Sequence, residues 1–308
     1  MKYIIIEFLN SLYDFKNFIK YSFKETSFDN KRQYTAFLTK QYHIIEKGLS
    51  LPSPRLGFGE KKILNLISVS VKYIKEYGED DLTKNIVNVL NNYSAFNIKN
   101  NFDSSIEKKI KSFVLNKRVS IDTGGVRKKI DSNLNFLDFN NFVKSRSSIR
   151  NFKNKEVTKE LILQAIDSAK YSPSVCNRQG WKVHTYEGDN ASKLLLLQNG
   201  NNGFSKSIAR LVVVTGDISF FSKNERNQIG IDGGMFSMSF LYALQSLGLG
   251  GCALNTCVSL KTEEKIKKKG GIPKGEKLIM FMAVGYPKDD CVVARSQRRE
   301  SETFLTVH

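Results

Sequence analysis

The sequence R-S-S-I-R at residues 146–150 lies where the pattern of the chain changes from purely helical to mixed. Arg146 and Arg150 bracket two serines, and guanidinium groups beside hydroxyl donors match the oxygens of a phosphate group. In a chain with 48 lysines and arginines, the same cluster is also typical of a solvated helix end. The patterns on either side of this stretch therefore decide between the two interpretations.

On its N-terminal side, apolar residues recur at three- and four-residue intervals, which predicts helices. The first pattern spans 3–21, and others cover 34–45, 63–74, 82–93 and 106–115. We expect the apolar face of the first helix to pack against the rest of the protein. A membrane surface is the alternative, because Lys2, Lys16 and Lys20 lie on the other side of that helix.

A run of charged residues broken by glycine and proline follows the second helix, at 43–59. One interpretation is a lid or substrate loop in which His43, Glu46 and Arg55 make polar contacts. The other is a helix C-cap at Gly48 followed by a structural turn. The residues leave both interpretations open.

The polar, basic segment 119–135 with Gly124 and Gly125 is the best linker candidate. We therefore predict a helical extension over 1–118, a linker over 119–137 and a second domain over 138–308. Extended apolar patterns at 181–186, 211–215 and 278–284 predict strands, and 139–144, a stretch from 158 and 228–247 predict helices. The fold expected is α+β, an α/β sandwich with helices flanking a central sheet.

Composition narrows the function. The net charge is +18, yet the lysines are scattered and no basic stripe is interleaved with aromatics, which argues against nucleic acid. The four cysteines and three histidines lack the spacing of a metal site, so we expect free thiols in a reducing compartment. The N-terminus has neither a signal-peptide pattern nor a membrane span, and a cytoplasmic, soluble protein is expected.

Four motifs in order resemble the FMN-dependent nitroreductase family from about residue 138 onward. They are R-S-S-I-R at 146–150, S-P-S-V-C-N-R-Q-G-W at 172–181, D-G-G at 232–234 in a helix that ends in L-G-L-G at 247–250, and V-G-Y-P at 284–287 before a basic tail. The 43–59 stretch is similar to extensions on nitroreductase-like proteins linked to surface-polysaccharide synthesis.

The resemblance implies a homodimeric flavoprotein that binds FMN at the dimer interface, takes hydride from NADH or NADPH and reduces a small organic acceptor by a ping-pong mechanism. It assigns no catalytic side chain and no metal. One arginine among Arg295, Arg298 and Arg299 should complete the phosphate site, and Arg298 is the first choice. The cofactor-binding residues implied are Arg146, Ser147, Ser148, Arg150, Pro173, Ser174, Asn177, Gln179, Leu254, Asn255 and Arg298.

Two residues depart from the family pattern. Gly180 stands where proline often precedes the tryptophan, and Arg178 adds a charge that we expect close to the flavin. Two other functions stay open: an FMN-dependent dehydrogenase of a specialised biosynthetic intermediate, and a flavin-binding or membrane-peripheral protein without turnover.

Overall fold

The computed structural model describes residues 2–24, 27–51, 53–103, 105–115, 117, 124–126, 136–294, 298 and 300–308. Most of the predicted linker, apart from 124–126 and 136–137, lies outside these residues. Among the helices of the described residues, none combines the length and the apolar character that crossing a membrane requires.

Five helices form the first part of the chain, in agreement with the five periodic patterns. They are α1 Lys2–Tyr21, α2 Lys31–Leu49, α3 Glu60–Tyr77, α4 Asp81–Lys99 and α5 Glu107–Val114. Side-chain caps fix the starts of α2 and α4: Asn30 accepts a hydrogen bond from the Gln33 N–H, and Asp80 with Thr83 forms a capping box. A hydrophobic core from Phe23 to Phe113 holds α2 to α5 together.

The expected packing of α1 is wrong. The apolar residues that were to face the core are exposed, whereas Phe18 on the other side of the helix is buried against Ile218, Phe221 and Ile229. Asp14, a polar residue of the buried side, pairs with Lys277 at 2.8 Å. Helical periodicity locates an apolar face but does not say what covers it.

The stretch around Gly48 is built for close packing. The interpretation of Gly48 as the C-cap is wrong, because α2 continues through Gly48 to Leu49 and Ser50 is the C-cap. A Cβ at Gly48 would lie 2.2 Å from the ring of Phe58, so a larger residue would displace that ring. Glu46 lies 3.0 Å from His43 Nδ1 and accepts a hydrogen bond from the Gly125 N–H at 3.0 Å. These contacts fasten the described part of the linker to α2, and a lid role stays a prediction.

A four-stranded antiparallel sheet forms the second part, with strand order β1-β2-β4-β3. The strands are β1 Trp181–Tyr186, β2 Arg210–Asp217, β3 Gly250–Leu254 and β4 Glu276–Gly285. Three of them match the predicted strands. The glycine-rich β3, which the sequence patterns did not predict, lies at one edge of the sheet.

Helices cover both faces of this sheet, which confirms the α/β sandwich. They are α7 Lys159–Ala169, α8 Gly188–Leu195, α9 Gln228–Ser246 and α10 Leu260–Gly270, and α6 Phe136–Ser145 contacts α9 through Phe142. Residues of α7 and α9 pack on one face around Val212 and Val214, and residues of α8 and α10 pack on the other around Leu211 and Val213. The lysine run at the end of α10 is exposed except for Lys267, which is buried and pairs with Glu263 at 2.7 Å.

Candidate functional site

The segment after α6 runs along the open edge of the sheet. Ser148 forms a parallel bridge with Gly251 of β3, and the Ile149 N–H donates to the Gly251 carbonyl at 3.2 Å. Farther on, the Lys153 N–H donates to the Tyr286 carbonyl at 2.7 Å. Because a Cβ at Gly250 would lie 2.6 Å from Ile149, only glycine allows this approach. The backbone of 148–153 is thereby held to the sheet.

This anchoring places the arginine cluster, defined as Arg146, Ser147, Ser148 and Arg150, beside the buried thiol of Cys252. Burial raises the pKa of the Cys252 thiol, while the Arg150 charge, a hydrogen bond with Ser148 and the Arg146 charge act in the opposite direction. Neither arginine pairs with a carboxylate among the residues that the structure describes. Two cations without a counter-charge at a sheet edge favour an anionic ligand.

A cavity of about 250 Å³ adjoins the cluster. Arg146 and Ser147 form one wall, and Gln245, Gly248 and Pro287 form others. Sites that enclose a cofactor-sized ligand usually measure roughly 300 to 1,000 Å³. One copy of the chain, as far as it is described, therefore offers a partial site.

A second set of predicted residues lies on the 173–179 loop between α7 and β1. Its backbone is unusual, because Cys176, Asn177 and Gln179 have φ values of 50°, 51° and 53°. Residues other than glycine rarely adopt this left-handed backbone conformation, and each instance costs of the order of 1–3 kcal/mol. Pro173, Asn177 and Gln179 are exposed and Ser174 is half-buried. Such strain is common at functional sites, where the surrounding structure enforces it.

Three interactions enforce the conformation of the 173–179 loop. Asp232 of α9 accepts a hydrogen bond from the Val175 N–H at 3.0 Å, and Ser174 Oγ accepts one from the Gln179 N–H at 3.0 Å. Arg178 donates from Nε to the Val175 carbonyl at 3.1 Å. Burial raises the pKa of Asp232, although its hydrogen bonds from Gln228 and Val175 oppose the shift. The loop is thus fixed from inside, which leaves the amides of Asn177 and Gln179 at the surface.

The two departures from the family pattern have structural reasons. The guanidinium of Arg178 turns into the protein, where it lies over the rings of Phe23 and Phe221 and pairs with Glu225 at 2.8 Å. Its charge therefore belongs to the support of the loop rather than to the exposed surface. At Gly180, a Cβ would lie 2.8 Å from the Phe221 ring, so the residue before Trp181 has no space for a side chain.

The third set continues from β3. Leu254 is its buried last residue, and the exposed Asn255 follows. The Asn255 carbonyl accepts a hydrogen bond from Gln198 at 3.0 Å, and its side-chain oxygen accepts one from the Cys257 N–H at 2.8 Å. In the tail, Arg298 is exposed, whereas Arg295 and Arg299 lie outside the described residues.

The structure brings some of these sets together and separates others. Gly251, which binds the arginine cluster, and Leu254 lie on one strand, roughly 10 Å apart at the usual rise per residue. The 173–179 loop is attached at Asp232, while Gln245 borders the cavity of the arginine cluster. These two α9 residues are separated by roughly 20 Å along the helix axis. The loop and the arginine cluster therefore lie at opposite ends of α9.

Between those ends, α9 presents an apolar face to solvent, here called the α9 face: Gly230, Ile231, Gly234, Met235 and Met238. Ile231 is 52% exposed, and no atom lies within 4 Å of a Cβ built at Gly230 or Gly234. Gly233 differs, because its Cβ would lie 2.9 Å from Ile279. The helix contains no lysine or arginine. A neutral face with small residues four apart allows two helices to approach closely.

Sequence reasoning missed Asp232 and Glu225 as supports of the loop and Cys252 as a neighbour of the arginines. Asp232 carries a signal, since it is the one charged residue of an otherwise uncharged helix, α9. Glu225 and Cys252 carry none, because only the fold brings them to Arg178 and Ser148. All four cysteines are free thiols, and no metal-binding cluster occurs within the described ranges.

Comparison with known proteins agrees with the resemblance. Residues 143–216 match the model of the nitroreductase family, a stretch that contains the arginine cluster and the 173–179 loop. The resemblance read from the motifs is confirmed over that stretch. No curated protein matches the chain.

Similar solved structures include a nitroreductase family protein from Streptococcus pneumoniae, with 19% identity and a TM-score of 0.47 over 55% of this chain and 100% of that one. An FMN-dependent nitroreductase from Clostridium difficile has 20% identity and a TM-score of 0.43 over 54% and 96% of the two chains. A nitroreductase-like protein from Streptococcus mutans has 18% identity and a TM-score of 0.46 over 56% and 98%.

Proposed function

We propose that this protein is an FMN-dependent oxidoreductase that uses NADH or NADPH to reduce a small organic acceptor. The observation that carries the proposal is the arginine cluster, which has two guanidinium groups without a carboxylate partner in the described part of the chain. It lies within the stretch that matches the nitroreductase family. When bound, FMN would supply the hydride chemistry, and the protein would bind and orient it.

The donor set fits such a cofactor. Arg146 and Arg150, with the hydroxyls of Ser147 and Ser148, suit a doubly charged phosphate, and Arg298 is proposed to join them. The exposed amides of Asn177 and Gln179 can donate to and accept from the polar edge of a flavin. Pro173 and Ser174 would flank that edge, and the backbone at Leu254 and Asn255 would lie at the other side of the ring.

We further propose that the active form is a homodimer. Two observations support it: the cavity at the arginine cluster is too small for a whole cofactor, and the loop with the amides lies at the other end of α9. If two copies pack their α9 faces with the helices antiparallel, the loop of one copy approaches the arginine cluster of the other. The neutral, glycine-containing α9 face suits this pairing.

The domain division at 118 and 138 remains a proposal, supported by a hydrophobic core that draws its buried residues from Phe23 to Phe113. The free state of all four thiols supports the proposal of a reducing, cytoplasmic location.

An absorption spectrum tests the proposed function directly. The purified protein should be yellow, or should become yellow with added FMN, and anaerobic NADH or NADPH should bleach the flavin band. A colourless protein that binds no added FMN would refute the proposal. If the protein bound flavin but neither nicotinamide bleached it, the cofactor assignment would stand and the reductase activity would be refuted.

A further inference from the structure

Helix α1 carries a continuous apolar surface that nothing in the described protein covers. Its side chains are 49% to 74% exposed. At about 100° per residue they fall within an arc of about 140° on one side of the helix. We call this set the α1 stripe: Ile4, Ile5, Phe8, Leu9, Leu12, Phe15 and Ile19.

The rest of the protein holds α1 by the opposite side. Asp14 pairs with Lys277, and Phe18 is buried against Ile218 and Ile229. After the helix, the Phe23 N–H donates to the Phe221 carbonyl at 3.1 Å. Since the attached side is already occupied, rotation of α1 to bury the stripe would break these contacts.

The stripe has a cationic border. Lys16 and Lys20 are exposed, and the expectation that they lie on the opposite side of the helix is wrong. At about 100° per residue both lie along one edge of the stripe, where Lys16 is one helical turn from Leu12 and from Ile19. Neither forms an ion pair among the described residues. Four exposed lysines, Lys261, Lys265, Lys268 and Lys269, occur on α10, whose first turn lines a cavity together with Tyr13 of α1. Bulky apolar residues bordered by lysines are typical of helices that lie in a membrane interface.

Charge decides between a lipid surface and a second copy of the chain. A protein with a net charge of +18 is attracted to an anionic surface, and two copies that met through lysine-bordered stripes would repel each other. The stripe is also convex and built from large side chains, without the small residues that let two helices pack closely. Charge complementarity therefore favours lipid.

We propose that α1 docks the protein on an anionic lipid bilayer. The stripe enters the boundary between headgroups and acyl chains, and Lys16 and Lys20 lie at the level of the anionic headgroups. This inference is independent of the proposed flavin chemistry, because the stripe contains none of the candidate cofactor-binding residues.

Vesicle co-sedimentation of the full-length protein tests the proposal. The wild type should bind vesicles of phosphatidylcholine with phosphatidylglycerol and bind vesicles of phosphatidylcholine alone much more weakly. Phe8→Glu/Leu12→Glu should lower the partition onto anionic vesicles by about tenfold to a hundredfold or more, because each change removes a large apolar side chain from the boundary. Lys16→Ala/Lys20→Ala should lower it by about thirtyfold on anionic vesicles only.

The matched control is Val71→Glu/Leu196→Glu. It replaces two exposed apolar residues away from α1 and changes the net charge by the same amount. This control should bind vesicles almost as the wild type does, and circular dichroism should verify that each variant is folded.

Three results would overturn the proposal. The wild type could stay in the supernatant with anionic vesicles, or Phe8→Glu/Leu12→Glu could bind as tightly as the control. In the third, Phe8→Glu/Leu12→Glu would bind vesicles as the wild type does but would sediment differently from it when no vesicles are present. That result would assign the stripe to contact with a second copy of the chain.

Discussion

Two helices of this protein, α1 and α9, expose apolar faces of opposite character. The α1 stripe consists of large side chains bordered by lysines. The α9 face is uncharged and contains Gly230 and Gly234, where a side chain would meet nothing within 4 Å. The size of the side chains and the charge beside them are the reasons that lipid is proposed as the partner of the α1 stripe and a second copy as the partner of the α9 face.

The two faces also differ in their relation to the candidate site. The ends of α9 adjoin the 173–179 loop and the arginine cluster, whereas the stripe adjoins neither. Arg178 connects the candidate site with the region of α1, because it supports the 173–179 loop and lies over the ring of Phe23, two residues after α1 ends. Changes to α9 and its neighbours should therefore affect cofactor binding, and changes to the stripe should not.

The largest effect should come from the arginine cluster. Arg146→Ala/Arg150→Ala should weaken FMN binding by about 3–6 kcal/mol, because each arginine supplies charge-assisted hydrogen bonds of roughly 1.5–3 kcal/mol. Fluorescence titration of the apoprotein with FMN measures this loss. Lys261→Ala/Lys265→Ala on α10 is a control of equal charge, and Phe8→Glu/Leu12→Glu is a control for the stripe. Wild-type affinity in the cluster variant would contradict the phosphate assignment.

A smaller effect is expected from the α9 face. Ile231→Glu should weaken the proposed dimer by about 2–4 kcal/mol, because it replaces, in each copy, an exposed apolar side chain that the dimer would bury and brings carboxylates together. Sedimentation velocity should show a monomer at concentrations where the wild type is dimeric, and FMN affinity should fall with it. Val71→Glu on α3 is the matched control. If Ile231→Glu sedimented as the wild type does, α9 would not be the interface.

Adjacent glycines sharpen the comparison further. In the Ile231→Glu background, which lacks the proposed dimer contact, Gly233→Ala and Gly234→Ala should gain the same helix propensity of about 1 kcal/mol. The difference between the two variants then isolates packing within one chain. Since a Cβ at Gly233 would lie 2.9 Å from Ile279, Gly233→Ala should unfold with a free energy about 1–3 kcal/mol lower than Gly234→Ala. Urea unfolding at equal protein concentration measures this. Equal stability of the two variants would mean that the Ile279 side chain moves aside without any loss of unfolding free energy.

The smallest effect concerns acid stability near Arg178. Burial raises the pKa of Glu225, but hydrogen bonds from Ser222 and the charge of Arg178 outweigh it, so the pKa lies below the ordinary value of 4.5. A lowered pKa in the folded state stabilises the protein above the unfolded value, and this stabilisation is lost as pH falls through the folded pKa. The difference in unfolding free energy between wild type and Glu225→Gln should be constant at pH values above the pKa of Glu225 in the unfolded chain. It should shrink as the pH falls from there through the pKa of Glu225 in the folded protein.

The matched comparison for this prediction is Asp232→Asn. Burial raises the pKa of Asp232, so its linkage has the opposite sign, with a contribution that is lost as pH rises through the folded pKa. Unfolding in urea at a series of pH values separates the two residues. A Glu225→Gln difference that grows as pH falls would contradict the assigned sign.

Much of the fold could be predicted because its signals are local. The periodic apolar patterns located α1 to α5, and the buried run at 211–215 and its counterpart at 278–284 located β2 and β4. Strand β3 was missed, since G-G-C-A-L is short and glycine-rich and is a strand only because β4 pairs with it. Gly180 was noted as a departure, but its reason, the Phe221 ring, comes from a distant part of the chain.

The candidate site also has one part that the sequence predicts and one part that it does not. The chemistry of the arginine cluster was readable from residue types alone, and its match to the nitroreductase family agrees with that interpretation. The left-handed backbone at Cys176, Asn177 and Gln179 could not be predicted, because no glycine marks it. The hydrogen bond that Asp232 accepts and the ion pair between Arg178 and Glu225 both join the loop to residues far away in the sequence. The position of that loop relative to the arginines was equally hidden.

By itself, the sequence determined which helices are amphipathic, which strands are buried and which residues are chemically suited to a phosphate, because these properties depend on side chains a few positions apart. Only the tertiary structure decided that α1 turns its apolar stripe to solvent, that Arg178 points inward, and that the two halves of the candidate site lie at opposite ends of α9. Those outcomes depend on which surfaces compete for burial, a balance that involves the whole folded chain.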